Sequence, residues 1–356
     1  MSQLNPEQFI AVHHTEGPLL VLAGAGSGKT QVITSRIVHL LQKLKIPAEQ
    51  ILAVTFTNKA AKEMQERVKR AAGAKAEGIL ISTFHSLGVR ILRRDIRRLG
   101  YKPNFTIYSD SDQAGVVRQA LSDLNIDTKQ FQPDMVRWQI SSAKNRLIAP
   151  EQYPKLSTNP LEQVTAAVYP RYQHLLRAYN AIDFDDIIML TVQMLEELPE
   201  VRQHWQDRFR YIMVDEYQDT NAGQYKLISL LAQGHGNLCV VGDDDQAIYG
   251  WRGADITNIL NFSSERTSCK VVKLEQNYRS TGTILNAANT VIRNNSKRSD
   301  KALWTASGTG ELINLLVADT DDEEARQVVE QLQLAQYRDK RPWKDFAILY
   351  RSNAQS

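Results

Sequence analysis

Residues 19–30, with the sequence LLVLAGAGSGKT, constrain the fold of this chain more than any other stretch. Five apolar or small residues run directly into a glycine-rich turn, and apolar residues then recur at helical spacing. This order predicts a buried β-strand, a tight loop and an α-helix. We therefore expect an α/β fold in which a parallel sheet carries the loop at the carboxyl end of a strand.

The composition of this loop fits phosphate chemistry. Its glycines let backbone N–H groups close around phosphate oxygens, and the helix N-terminus behind them favours negative charge. We expect Lys29 to reach the β- and γ-phosphates of a nucleotide and the Thr30 hydroxyl to ligate Mg²⁺. Ala23 stands where the strict pattern has its first glycine, so the loop is a variant. An ordinary tight turn is the alternative, but strand, loop, Lys-Thr pair and helix follow in the required order.

Composition places the chain among ordinary globular proteins. It has 356 residues, of which 42% are hydrophobic and 23% charged, enough for two or three domains. No apolar run reaches membrane length and residues 1–16 lack a secretion-signal pattern, so we expect a cytoplasmic protein without a membrane partner. Cys239 and Cys269 lie in apolar runs and are predicted to be reduced core residues. The net charge of +3 does not by itself indicate nucleic acid.

A second predicted strand, residues 211–214, ends in two acids, Asp215 and Glu216. Carboxylates at the end of a buried strand need a cation or a donor nearby. In a phosphate-loop enzyme Asp215 would hold Mg²⁺, usually through water, and Glu216 would position and deprotonate the attacking water. The alternative is a strand that simply leaves the core for solvent.

Two further strands end in turns that combine polar and aromatic residues, TFTNK after the strand at 51–56 and TFHS after the strand at 79–82. Ligands of open α/β sheets bind outside the carboxyl ends of strands, where Phe56 would offer a base a stacking face. Helix capping by Thr57 or Ser82 is the alternative, and it is favoured for these turns taken alone.

Residues 242–253 form a third such segment after a strand at 238–241. Gln246 would sense the γ-phosphate, while two aromatic residues and Arg252 suit base stacking and phosphate binding. One element would then contact both ligands, as coupling of hydrolysis to DNA movement requires. The alternative places both aromatic residues in the core.

Two more positions suit a nucleotide. Gln8, in a helix that Asn5 caps, carries an amide that both donates and accepts, as recognition of a purine edge requires. Arg279 follows the strand at 271–274 and would act as an arginine finger, with Tyr278 stacking on adenine.

The predicted elements divide the chain into three parts. Strand and helix alternate in residues 1–86 and 199–274, whereas residues 87–198 are mostly helical and read as an inserted domain. Within the insertion, DFDD at 183–186 is interpreted as a helix N-terminus capped by Asp183 in preference to a metal site. A last α/β stretch at 275–356 has strands at 313–317 and 345–350 and a helix from Asp321. It looks half-finished, so we expect a truncated protein.

Taken in order, these segments resemble the superfamily 1 DNA helicases of the UvrD/Rep/PcrA family, most of all its PcrA members. The resemblance covers essentially the whole chain through LNPEQ, AGAGSGKT, TFTNKAA, ISTFHS, DFDD, VDEYQDTN, VGDDDQAIYGWRGAD, LEQNYRS and LYRSNAQS. It implies a RecA-like domain 1A (1–86 and 199–274), a helical domain 1B (87–198) and part of a second RecA-like domain 2A (275–356). It also implies ATP-driven 3′ to 5′ movement on single-stranded DNA, in DNA repair or replication.

The resemblance implies roles for individual residues. For ATP they are Gln8, Ala25, Gly26, Ser27, Gly28, Lys29, Thr30 and Tyr278, with Thr30 and Asp215 on Mg²⁺. Catalysis is implied for Lys29, Asp215, Glu216, Gln246 and Arg279. The implied single-strand track comprises Phe56, Asn58, Thr83, His85, Phe184, Tyr249, Trp251, Arg252, Arg351 and Asn353.

The sequence departs from the family in two respects. Gln31 replaces the arginine that commonly follows GKT, and the later motifs, with a second γ-phosphate arginine and a ribose contact, are absent together with the 2B insertion. We therefore expect the N-terminal half of a helicase that acts on single-stranded and 3′-tailed duplex DNA. The alternative is a module that binds nucleotide and DNA without turnover, since motor function needs two lobes closing on ATP. A nucleotide kinase would need a small acceptor pocket, which no later segment offers.

Overall fold

A parallel sheet of six strands forms the centre of the fold. Its strands are β1 (Leu19–Ala23), β2 (Ile51–Thr55), β3 (Leu80–Thr83), β6 (Tyr211–Val214), β7 (Leu238–Gly242) and β8 (Lys270–Leu274). Their spatial order is β3-β2-β6-β7-β1-β8, so the strand before the glycine-rich loop lies between β7 and β8. The computed structural model describes residues 4–154, 157–296 and 298–350. The predicted α/β fold with a parallel sheet is confirmed.

Helices cover both faces of this sheet. In β1, Leu19 and Val21 pack on one side while Leu20 and Leu22 pack on the other, because successive strand residues point to opposite faces. Burial of both faces makes the strands apolar throughout, which explains their continuous apolar runs in the sequence. The first face is covered by α1 (Pro6–His13), α2 (Lys29–Gln42) and α3 (Asn58–Ala72), and the second by α4 (Phe84–Asp95), α8 (Phe184–Glu197), α9 (Pro199–Arg208), α10 (Ala222–Ala232) and α11 (Thr257–Leu260).

The helices that directly follow β2 and β3 in the chain are capped by side chains. Thr57 accepts a hydrogen bond from the Ala60 N–H at 3.1 Å and begins α3, as the capping interpretation predicted. The prediction for α4 was wrong by one residue. Ser82 still belongs to β3, and it is the Thr83 hydroxyl that accepts the Ser86 N–H at 3.2 Å.

A mostly helical segment with a hydrophobic core of its own interrupts the α/β alternation. Its helices α5 (Asp110–Asp123), α6 (Pro133–Asn145) and α7 (Pro160–Ala178) pack around Val117, Ile140 and Tyr169. Two short strands pair in parallel with each other: β4 (Thr106–Ile107) precedes α5 in the chain, and β5 (Ala181–Ile182) follows α7. The helical character predicted for residues 87–198 is confirmed, whereas the limits of this segment as a domain stay a prediction.

Asp183 caps α8 as predicted, and together with Asp186 it also binds Lys144 of α6. The Lys144 ammonium lies 2.5 Å from Asp183 and 2.7 Å from Asp186, and all three side chains are buried. Burial alone would lower the pKa of Lys144, but the two carboxylates raise it well above its usual range. The acids at 183 and 186 therefore hold an internal cation, which the sequence analysis missed.

The chain divides after Gly308 into two compact units. The first ends with a parallel pair, β9 (Gln276–Asn277) and β10 (Trp304–Thr305), with α12 (Gly282–Ile292) between them in the chain. The second contains α13 (Asp321–Asp339), as predicted. The strands predicted at 313–317 and 345–350 are wrong, because both runs lie outside the strands of the described chain. An apolar run becomes a strand only where a neighbouring strand takes its backbone hydrogen bonds.

Both cysteines have free thiols, as predicted. Cys239 is buried in β7 and Cys269 is partly buried before β8. Among the described helices, none has the length and apolar character needed to cross a bilayer.

The Lys144 cluster predicts a large loss of stability when its cation is removed. Lys144→Met would leave two buried carboxylates without their counter-charge, so the free energy of unfolding should fall by about 3–5 kcal/mol. Urea denaturation measures the change. The control is Lys226→Met, whose ion pair with Glu196 is roughly half exposed and should be worth less than about 1 kcal/mol. Equal small losses for both variants would contradict the prediction.

Candidate functional site

The glycine-rich loop joins β1 directly to the first turn of α2. Gly26 and Gly28 have φ values of 68° and 88°, the left-handed region that glycine adopts without strain. Ser27 donates its hydroxyl to the Gly24 carbonyl at 2.7 Å and tightens the turn. Lys29 is the first residue of α2, so the loop leaves the helix N-terminus facing the sheet edge where an anion would bind.

The two acids after β6 lie at the same edge as this loop. The Lys29 ammonium is 2.7 Å from a Glu216 carboxylate oxygen. Asp215 is 5% exposed and accepts the Glu216 N–H at 3.0 Å. Burial, followed by the charge of Glu216, raises the pKa of Asp215 to about 6. Parallel strands thus bring a cation and two carboxylates from distant parts of the sequence into one cluster.

Glu216 has an unusual backbone conformation. Its φ is 50°, in the left-handed region, which is uncommon for a residue with a long side chain. Gln218 donates its amide to a Glu216 carboxylate oxygen at 3.0 Å. The strained backbone and this hydrogen bond hold the Glu216 carboxylate toward Lys29, a kind of strain often found at functional sites.

The two residues implied to contact adenine both hydrogen-bond to the same loop. The Gln8 amide, 1% exposed, donates to the Ser27 carbonyl at 3.0 Å and accepts the Asn5 N–H at 3.1 Å. Tyr278 donates its N–H to the Gly26 carbonyl at 3.0 Å, and its side chain is half exposed. The structure therefore gathers Gln8 and Tyr278 at the loop, while their contacts with a nucleotide stay predictions.

Asn277 connects the loop to the segment that carries Arg279, and the sequence analysis missed it. Its amide donates to the Ala25 carbonyl at 2.6 Å, and its oxygen accepts the N–H groups of Arg279 and Ser280 at 2.8 and 2.7 Å. One asparagine thus fixes the main chain at Arg279 relative to the phosphate loop. The Arg279 side chain is exposed.

Gln218 also links the acids to the loop after β7. Its oxygen accepts the Asp243 N–H at 3.0 Å. Gln246 in turn donates its side-chain amide to Asp243. A continuous chain of hydrogen bonds therefore runs from Glu216 to Gln246, the residue implied to sense the γ-phosphate.

Three acids in the loop after β7, Asp243, Asp244 and Asp245, have the spacing of a metal site. Their possible ligand atoms lie within 4.8 Å of one another. The Lys301 ammonium fills the cluster, at 2.8 Å from both Asp243 and Asp245 and in contact with Asp244. Arg298 binds both oxygens of Asp245 at 2.9 Å. Two cationic side chains from the segment before β10 thus offset two of the three negative charges, and the sequence analysis identified neither of them.

A cleft of about 1260 Å³ lies between the sheet edge and the helical segment. Six residues implied to contact single-stranded DNA line it: Phe56, His85, Phe184, Tyr249, Trp251 and Arg252. Tyr249 and Trp251 are 40% and 65% exposed, which excludes the alternative that they are core residues. The Arg252 guanidinium lies 4.6 Å from the centre of the Trp251 ring, a cation–π distance.

The remaining residues of the implied track have other surroundings. The Thr83 hydroxyl is buried at the N-terminus of α4, and Asn58 is exposed in the first turn of α3. Arg351 and Asn353 lie outside the described residues. For all of them a contact with DNA stays a prediction.

His85 and Phe184 stack on each other in the cleft. Their ring centres are 3.8 Å apart with an interplanar angle of 21°. Burial lowers the pKa of His85 to about 4, so its imidazole is neutral at pH 7. A base that binds here would meet a flat, uncharged aromatic surface.

This chain is similar in sequence to known proteins. Residues 4–267 match the model of the UvrD/REP helicase N-terminal domain, and residues 272–356 match the UvrD-like helicase C-terminal domain. The chain is 52% identical to the ATP-dependent DNA helicase PcrA of Staphylococcus aureus and 51% identical to that of Staphylococcus epidermidis. Each comparison covers 100% of this chain and 49% of the relative, so the chain spans about half the length of the curated relatives that it matches.

The partly buried position of His85 predicts a pH dependence of stability. The unfolded state binds a proton near the usual histidine pKa, whereas the folded state does so only near pH 4, so acidification favours unfolding. Between pH 7 and pH 5 the wild type should lose about 2 kcal/mol more unfolding free energy than His85→Phe. Urea denaturation at the two pH values measures this difference. Parallel losses in both proteins would show that His85 titrates normally.

Proposed function

Because this chain belongs to the UvrD/REP helicase family, we propose that it supplies part of an ATP-driven DNA helicase that moves 3′ to 5′ along single-stranded DNA. The observation that carries the proposal is the 2.7 Å contact between Lys29 of the glycine-rich loop and Glu216 after β6. A triphosphate tail bound by the loop would meet the carboxylate that has to activate water. The family-model boundary between residues 267 and 272 supports a proposed 1A domain that ends near residue 274 and a 2A domain that begins at 275.

The Lys29–Glu216 ion pair makes activation of water depend on nucleotide binding. The β- and γ-phosphates would compete with Glu216 for the Lys29 ammonium. Once released, the Glu216 carboxylate would orient the attacking water and accept its proton. Gln218, hydrogen-bonded to Glu216, would keep the carboxylate in place during this exchange.

Thr30 and Asp215 would hold Mg²⁺ at this site. A hydroxyl and a carboxylate are the hard oxygen ligands that Mg²⁺ prefers. Asp215 supports the fit, because burial raises the pKa of this carboxylate to about 6 and a bound cation would stabilise its ionised form. Bound Mg²⁺ would neutralise charge on the β- and γ-phosphate oxygens.

Two further side chains would respond to the γ-phosphate. Gln246 is connected through Asp243 and Gln218 to the catalytic carboxylate, and it also lines the DNA cleft. Arg279 is fixed to the phosphate loop through Asn277 and would contribute positive charge in the transition state. Gln246 would therefore transmit the state of the nucleotide to the Tyr249–Arg252 surface.

The second candidate function is a module that binds nucleotide and DNA without turnover. It is favoured by the absence of a strand in the described part of the second unit, residues 309–350, because a motor lobe of the RecA type needs a sheet. Measurement of ATP hydrolysis by the 356-residue chain distinguishes the two functions. DNA-dependent turnover above background would exclude the binding-only function.

Lys29→Ala tests the proposed ATP site. Removal of the ammonium should lower DNA-stimulated ATP hydrolysis by about 10²-fold or more, because the charge developing on the phosphates loses a preorganised donor. Phosphate release in the presence of single-stranded DNA measures the rate. Lys226→Ala, an exposed lysine of α10, is the control and should retain the wild-type rate. A normal rate for Lys29→Ala would refute the assignment.

Trp251→Ala tests the proposed DNA track. Loss of a stacked base should weaken binding of single-stranded DNA by about 1–3 kcal/mol. Fluorescence anisotropy measures the Kd, which for the wild type should also rise steeply with salt. The matched control is Trp343→Ala, which removes a tryptophan of the second unit that is 58% exposed, against 65% for Trp251. Unchanged affinity in Trp251→Ala would remove this residue from the track.

A further inference from the structure

One large aromatic side chain in the cleft has no role among those implied by the family resemblance. Trp138 of α6 is 61% exposed and lines the same cleft as Phe184 and Trp251. An exposed tryptophan ring presents a large, rigid apolar surface, and such surfaces often contact ligands.

The phase of α6 holds Trp138 toward the cleft. Val136, Ile140 and Ala143 are buried in the core of the helical segment and fix the rotation of the helix. The opposite face carries residues spaced by three, four and seven positions, which lie above one another on a helix. These cleft-lining residues are Trp138, Ser141, Ser142 and Asn145.

Asn145 fixes the end of this face beside the implied DNA track. Its amide donates to Asp185 at 2.9 Å, next to Phe184, and its oxygen accepts the Asn221 amide at 2.6 Å. Asn145 also lies close to Gly253, the residue after Arg252: a Cβ added to Gly253 would be 3.7 Å from the Asn145 Cβ. Trp138 is seven residues away on the same helix, about 10 Å along its axis.

The cleft favours the bases of a strand over its phosphates. Glu216, Asp219 and Asp245 line it on the sheet side and would repel a phosphate backbone. Its aromatic residues are separated by polar ones, so they offer flat stacking positions and not a continuous apolar groove. Arg146, directly after α6, and the Ser142 hydroxyl are available for sugar and phosphate contacts at the rim.

We propose that Trp138 is an additional base-stacking residue that extends the single-strand track along α6. The 10 Å between Trp138 and Asn145 corresponds to about three stacked nucleotides at 3.4 Å each. The inference rests on the proposed function, because it requires that single-stranded nucleic acid enters this cleft. The additional claim is that the helical segment contacts the single-stranded nucleic acid beyond the Tyr249–Arg252 surface.

A series of oligothymidylates from about 4 to about 16 nucleotides tests the inference in the 356-residue chain. Trp138→Ala should raise the Kd of long oligonucleotides by about 5- to 150-fold, the loss expected for one stacked base. The shortest oligonucleotides should bind both proteins equally, because the Tyr249–Arg252 surface accommodates them. Trp138→Phe keeps an aromatic ring and should recover most of the affinity.

Tyr179→Ala is the matched control, since it removes an aromatic side chain of the helical segment that is 47% exposed and does not line the cleft. It should bind every length as the wild type does. Equal Kd values for Trp138→Ala and the wild type at all lengths would overturn the inference, as would the same loss at every length. Failure of the wild type to bind any oligonucleotide would instead refute the proposed function.

Discussion

The contact between Lys29 and Glu216 depends on the parallel arrangement of the sheet. Because β1, β7 and β6 run in one direction, the loops that follow them leave the sheet at a single edge. β7 lies between the other two, so its loop, with Gln246, is placed next to both the lysine and the acids. The same edge carries the aromatic residues of the cleft. The parallel direction of the strands therefore places the proposed nucleotide site next to the proposed DNA surface.

Features that depend on neighbouring residues could be predicted from the sequence. Asp215 could be predicted because it comes directly after a continuous apolar run, which shows that the run is a buried strand and that the acid lies at its end. Lys29 could be predicted because the glycine-rich turn before it follows such a run and helical spacing begins after it. Asp183 could be predicted as a helix cap because the apolar residues after it have helical spacing. The start of α4 could not be predicted to the residue, since Ser82 and Thr83 both carry a hydroxyl and the structure shows that Thr83 is the one that accepts the Ser86 N–H.

Features that depend on distant partners could not be predicted. Lys144 lies 39 residues from Asp183, and Lys301 lies 57 residues from Asp244. Asn277 contacts a carbonyl 252 residues earlier in the chain. Their local sequences carry no sign of these contacts, because the partner is set by how helices and strands pack. The strands predicted at 313–317 and 345–350 were wrong for a related reason, because a strand forms only where a neighbouring strand pairs with it.

The two cations that bind Asp243, Asp244 and Asp245 come from a segment more than fifty residues further along the chain. Until residue 301 has been synthesised, this loop carries three uncompensated negative charges at the end of β7, which repel one another. The strands of the sheet can pair before that point, because β8 ends at Leu274. The loop that bears Gln246 should thus be among the last parts of the first unit to reach its final conformation on the ribosome.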